Sequence, residues 1–188
     1  MPDLKPITAL GGGTARRHHH GALVLEENTE LALASLALRR GGTQPVPFGI
    51  DLPGPGACAQ SGEIAAFWMG QDQWMVEGQN RGGNDFASEL AALCPGCSVT
   101  EQTDGFAVFE IRSSAGERPI LQLMAKLMNI DAIRFQPGSA TRTGLEHMSV
   151  FVIRRAAHHI AILGMRSAAC SIWHALEEHI RRIEDRKP

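Results

Sequence analysis

The residue types best suited to chemistry in this chain are the two thiols of Cys94-Pro95-Gly96-Cys97, which have the spacing of a redox dithiol. An active dithiol sets its first cysteine at a helix N-terminus, where the dipole lowers the thiol pKa. Here the residues before Cys94 are helical in pattern and Pro95-Gly96 ends them, so the dipole at Cys94 has the wrong sign. A zinc site would need two further ligands, and the sequence holds no second CxxC and no HxxxH pair. Cys58, Cys94, Cys97 and Cys170 are therefore read as unpaired thiols.

The histidines and carboxylates are equally hard to assemble into a site. His18, His19 and His20 follow Arg16 and Arg17 and read as a solvated arm. His158 and His159 are consecutive at a strand turn and point to opposite faces. His174 and His179 lie five apart on a helix, again on different faces. Asp104, Glu110 and Glu146 show no paired-carboxylate spacing, and Glu110 reads as the wet end of a strand. Gly11-Gly12-Gly13 and Gly138-Ser139-Ala140-Thr141 match no phosphate-binding fingerprint, and no GxSxG occurs. The residues assign this chain no catalytic, cofactor-binding or metal position.

The elements that would carry these residues can be read from periodicity. Residues 1–25 are an extended arm with one strand candidate, Ala22–Leu25. Glu30–Arg40 has helix-forming residues throughout, basic residues in its last turn and Gly41 beyond, which predicts a buried helix. Residues 41–60, rich in proline and glycine, predict a loop or extended crossover. Ile64–Met69 and Trp74–Val76 flank Gly70-Gln71-Asp72-Gln73 and predict a β-hairpin bearing two tryptophans. A helix over Asn84–Leu93, capped by Asn84 or Asp85, and a strand over Ser98–Gln102 follow.

In the second half, Phe106–Ile111 predicts a strand apolar on both faces, and Glu117–Met128 a helix with Ile120, Leu123, Met124 and Leu127 on one side. Phe135–Gly138 is a turn. His147–Ile153 and His159–Leu163 are strands, and a helix runs from Ser167 to about Asp185. The fold class is α+β, as two small lobes of antiparallel sheet with helices packed on them. Residues 1–102 form the arm and the lobe with the tryptophan hairpin, and residues 103–188 form a β-α-β-β-α lobe.

Composition narrows the function classes. The chain has 188 residues, 44% of them apolar, and a net charge of −2, so it lacks the basic footprint of a nucleic-acid binder or an anionic-membrane binder. No apolar run approaches the roughly 18 residues of a membrane span. The N-terminus lacks a secretory pattern, so a cytoplasmic location with reduced thiols is expected.

Six blocks, in order, carry a resemblance: LALASLALRRG at 31–41, LPGPG at 52–56, AAFWMGQDQWMVEG at 65–78, TDGFAVFEIRSSAG at 103–116, IRFQPGSATRTGLEHMSVFVIRR at 133–155 and SIWHALEEHI at 171–180. Together they resemble the gamma subunit family of heterotetrameric sarcosine oxidase over nearly the whole chain. The resemblance implies a fold like the folate-binding fold of glycine-cleavage T-proteins. It also implies membership of a complex that demethylates sarcosine to glycine, with peroxide and either formaldehyde or 5,10-methylenetetrahydrofolate as co-products. The partners implied are alpha, beta and delta subunits. FAD, FMN, NAD and tetrahydrofolate belong to the complex and zinc to the delta subunit, with no cofactor on this chain. An accessory role of that kind predicts an exposed apolar surface around Phe67, Trp68 and Trp74. Two alternatives stand beside it: an independent folate-binding protein of the same fold, and the equivalent subunit of a complex acting on other N-methyl amino acids.

Overall fold

Period-two alternation with apolar residues on both faces produces sheets that are covered on both sides, and this chain builds two of them. The computed structural model describes residues 6–132 and 134–184. In chain order the first strands are β1 (Arg17–His20), β2 (Leu23–Glu27), β3 (Ala32–Leu38), β4 (Cys58–Ser61), β5 (Ile64–Gly70) and β6 (Gln73–Gly78). Helix α1 (Phe86–Leu93) and strands β7 (Cys97–Glu101) and β8 (Phe106–Ser113) follow, then α2 (Arg118–Leu127). Strands β9 (Ala140–Leu145), β10 (Met148–Ala156) and β11 (His159–Met165) lead to α3 (Ala169–Glu184).

One sheet has the order β4-β5-β6-β3-β7, the other β1-β2-β8-β11-β10-β9, and every named pairing in both is antiparallel. Helix α1 covers the outer face of the first sheet, where Phe86 and Leu90 meet Ala34, Leu36, Trp74 and Val76. Helices α2 and α3 cover the outer face of the second, with Ile120, Leu123, Ile172 and Leu176 against Leu25, Phe109 and Ile162. The inner faces form a third core of Leu31, Leu33, Phe67, Met75, Val108, Phe151, Ile153 and Leu163. The α+β expectation holds, as a helix–sheet–sheet–helix stack. Among the described residues no helix is long and apolar enough to cross a membrane.

Five expectations are corrected. Glu30–Arg40 is not a helix: Ala32–Leu38 is strand β3, hydrogen-bonded to β6 on one side and β7 on the other. Alanine and leucine favour helix, yet the period-two geometry of a strand puts Ala32, Ala34 and Leu36 toward α1 and Leu33 toward the second sheet. The arm is not simply solvated: β1 and β2 form a hairpin that joins the second sheet beside β8. The stretch 41–60 contains β4, and a strand that went unread, β9, makes the second half β-α-β-β-β-α. The tryptophan hairpin is present, but Phe67 is fully buried and Trp74 is 4% exposed. Trp74 Nε1 donates to the carbonyl of Pro53 at 2.8 Å, which places it as core, not as an interface anchor.

The two sheets touch at one edge through backbone as well as side chains. The Cys58 N–H donates to Gly138 O at 2.8 Å and the Ala140 N–H to Gly56 O at 3.0 Å, so the starts of β4 and β9 are laced together.

Candidate functional site: a charge network between the sheets

Alternation along β6, β8 and β10 sends Glu77, Glu110 and Arg155 onto the inner faces, where the two sheets meet. Arg155 bridges them: Nη1 donates to Glu77 Oε2 at 2.7 Å and Nε to Glu110 Oε2 at 3.3 Å. His159, at the start of β11, lies with Nε2 2.7 Å from the same Glu110 Oε2. Asn28 Nδ2 donates to Glu110 Oε1 at 3.3 Å. Both carboxylates are nearly sealed from solvent, at 1% and 3% exposure, and the Arg155 side chain is 8% exposed.

Burial pushes the Glu110 carboxyl up, but the His159 hydrogen bond and the Arg155 guanidinium outweigh it and hold the group at about 2. An ionised carboxylate only accepts, so the Nε2 nitrogen of His159 carries the proton in this contact. Burial opposes the charge on Arg155 as well, and the two carboxylates more than compensate, raising its pKa. Glu110 and Arg155 are thus both held in their charged forms. A carboxylate held at about 2 is a poor general base near neutral pH. What the arrangement does is lock β6 of one sheet to β8, β10 and β11 of the other.

The preceding residue, Arg154, faces the opposite way, as strand geometry requires. It is fully buried, pairs with Glu117 ahead of α2, and donates to Phe135 O at 2.7 Å. Consecutive arginines therefore tie β10 to the other sheet on one face and to the helix layer on the other. A larger cleft of about 620 Å³ opens between the arm and the start of β8, with Thr8, Glu27, Leu31, Asp104, Phe106 and Arg166 among its walls. Glu27 is buried there and accepts from the N–H groups of Leu10 (3.1 Å) and Arg16 (3.2 Å), fastening the arm to β2.

The residues singled out for their chemistry are dispersed. Cys94 caps the C-terminus of α1 and Cys97 opens β7; both are buried, and burial pushes the Cys94 thiol up to about 11. None of the four cysteines is bridged. His18 sits on β1 with Nδ1 3.2 Å from Glu177 of α3, and burial lowers its pKa. His179 Nδ1 is 2.9 Å from Ala175 O, and His174 is exposed. Asp104 is almost wholly exposed, 3.6 Å from Arg166, and Glu146 occupies the β9–β10 turn with φ 52°. No group of three or more histidine, cysteine, aspartate or glutamate residues that could hold a metal occurs among the described residues.

Glu110 is corrected from a wet strand end to the centre of the inner-face network, and Glu77, Arg154, Arg155 and Glu117 went unread. The signal was present: a carboxylate inside Phe106–Ile111, another closing Trp74–Val76, and two arginines ending the apolar run of β10. A charge set within an otherwise apolar strand is paired when buried.

The sequence matches no family profile and no curated protein. Solved structures do share the fold. A chain of the heterotetrameric sarcosine oxidase from Corynebacterium sp. U-96, in complex with pyrrole 2-carboxylate, superposes with a TM-score of 0.75 at 18% identity, covering 90% of each chain. The glycine cleavage system aminomethyltransferase T from Bartonella henselae superposes at 0.57 with 10% identity, over 80% of this chain but 44% of that one. This chain therefore shares the fold of one sarcosine oxidase chain over 90% of each, and that of less than half of an aminomethyltransferase T.

Proposed function

We propose that this chain is an accessory, gamma-type subunit of an oxidoreductase complex of the heterotetrameric sarcosine oxidase kind, acting in the cytoplasm. The observation that carries the reading is the 90% reciprocal coverage of a sarcosine oxidase chain, set against 44% of the aminomethyltransferase. The order of the six sequence blocks agrees with it. In this reading the alpha, beta and delta subunits bring the flavins, NAD, the folate site and the zinc, and this chain stabilises the folate-type portion of the assembly. Its charged residues serve that role by rigidity: Glu77, Glu110 and Arg155 are already committed to one another.

The test is affinity purification of the tagged chain from its native lysate, with mass spectrometry, a visible spectrum and a peroxide assay. Three co-purifying subunits, a flavin band and peroxide formation dependent on sarcosine are the expected result. The same complex turning over another N-methyl amino acid and not sarcosine would move the assignment to a related demethylating complex. A colourless monomer that binds tetrahydrofolate saturably would overturn the accessory reading in favour of an independent folate binder.

A further inference from the structure

Two periodicities match where the arm meets the last helix. Alternate residues of a strand stand about 6.7 Å apart, and four residues of a helix rise about 6 Å. Arg16, just ahead of β1, and His18 within it therefore meet Trp173 and Glu177 of α3 in step. The Arg16 guanidinium lies 5.0 Å over the Trp173 ring, and His18 Nδ1 lies 3.2 Å from Glu177 Oε1. The same oxygen accepts from Arg181 Nη2 at 2.8 Å, and His20 stacks on His18 with ring centroids 6.1 Å apart. Strand β1 is an edge strand, paired with β2 on one side and crossed by these contacts to α3.

The charges around His18 are unevenly matched. Arg16 and His20 flank it on its own segment and Arg181 acts from α3, all against one carboxylate, Glu177. The other polar groups nearby are engaged elsewhere or face solvent. Glu27 of β2 accepts from the Leu10 and Arg16 N–H groups, Glu178 is paired with Arg182, and His174 is exposed. Leu25, opposite His18 on β2, is apolar. A carboxylate only accepts, so neutral His18 carries its proton on Nδ1, toward Glu177. Acid adds the second proton at Nε2, which is shielded from solvent. That proton brings one more cation to a carboxylate already bonded to Arg181. Burial holds the His18 pKa below its ordinary 6.5, with Arg181, His20 and Arg16 acting the same way and Glu177 opposing.

We propose that the contact between β1 and α3 is an acid-sensitive latch, in which neutral His18 seats the edge strand and protonated His18 releases it. The seated state binds fewer protons than the released one. Seating is therefore complete above pH 6.5 and weakens as pH falls through the folded value. Release bares the edge of β2 and the face of Trp173 that Arg16 covers.

The test is a proton NMR titration of His18 in the purified protein, in whatever assembly it purifies, with amide exchange of β1 at pH 7.5 and 5.5. His18 titrating below 6.5 is expected, with β1 protection falling by up to about tenfold per unit of that difference. Core amides of α3 should keep their protection across the same range. His18→Asn, whose amide nitrogen can stand where Nδ1 does, should hold β1 equally at both pH values. Glu177→Gln should lower the His18 pKa further, because it removes the one anion and keeps an acceptor. A His18 that titrates at or above 6.5 would overturn the latch, since acid would then tighten the contact. An unchanged acid response in His18→Asn would overturn it as well.

Discussion

Glu110 spreads three partners over its two carboxylate oxygens, Asn28 on one and Arg155 with His159 on the other. Arg155 is the shared cation of two buried carboxylates, so removing it takes the guanidinium from both and leaves Glu110 with Asn28 and His159. Arg155→Ala is expected to cost about 3–5 kcal/mol, the range for breaking a buried ion pair from one side, read as a fall in the urea midpoint at constant m. A loss below about 1 kcal/mol would show that solvent reaches the carboxylates after all. Glu110 also predicts the acid limb of stability. Its folded pKa of about 2 lies below the ordinary 4.5, so the folded state binds fewer protons between those values. The stabilisation is complete above pH 4.5 and is lost as pH falls through 2. Urea midpoints measured from pH 6 downward should therefore drop across that window, and the drop should be shallower in Glu110→Gln. Parallel acid limbs in the two proteins would place the pH sensitivity elsewhere.

At the scale of elements, helix α3 packs on the second sheet at a glycine. A Cβ on Gly164 of β11 would come within 2.2 Å of Ile172 Cδ1 and 3.2 Å of Val150 Cγ1, so a methyl there must displace the buried tip of Ile172 where α3 meets the sheet. Gly164→Ala is expected to destabilise by about 1–3 kcal/mol as the added methyl pushes the Ile172 side chain out of its packed position. Adding Ile172→Val should recover part of the loss; an additive double mutant in equilibrium unfolding would deny that the two side chains compete for one space. Elements of this kind were largely legible in the sequence. The α1 helix and its Asp85 cap, which accepts from the Ser88 N–H at 3.1 Å, the tryptophan hairpin, β8, α2, β10, β11 and α3 all follow from local pattern. Strand β3 did not, because alanine and leucine carry helix propensity and only pairing with β6 and β7 overrides it. The inner-face network was hidden for a related reason. Glu77, Glu110 and Arg155 lie far apart in sequence, and their meeting depends on how two sheets stack, which no local period encodes.

For the whole molecule, the question is whether the two sheets unfold together. The arm residues Arg17–Glu27 belong by pairing to the second sheet, so the chain crosses between sheets after β2 and again after β7. The backbone lacing of β4 to β9, the shared inner core and the Glu77–Arg155 bridge add three independent ties. Severing them would expose the inner apolar faces of both sheets at once, a cost neither sheet can recover alone. One cooperative transition is therefore expected. The tryptophans report it separately: Trp68 and Trp74 stand in the first sheet, and Trp173 in α3 on the second. In a Trp173→Phe protein fluorescence follows the first sheet, and in a Trp68→Phe/Trp74→Phe protein it follows the second. Within each protein the fluorescence and far-ultraviolet ellipticity curves in urea should coincide. If the Trp74 signal moved at a urea concentration where Trp173 remained native, the sheets would be separate folding units. The charge network between them would then be a contact between lobes and not part of one core.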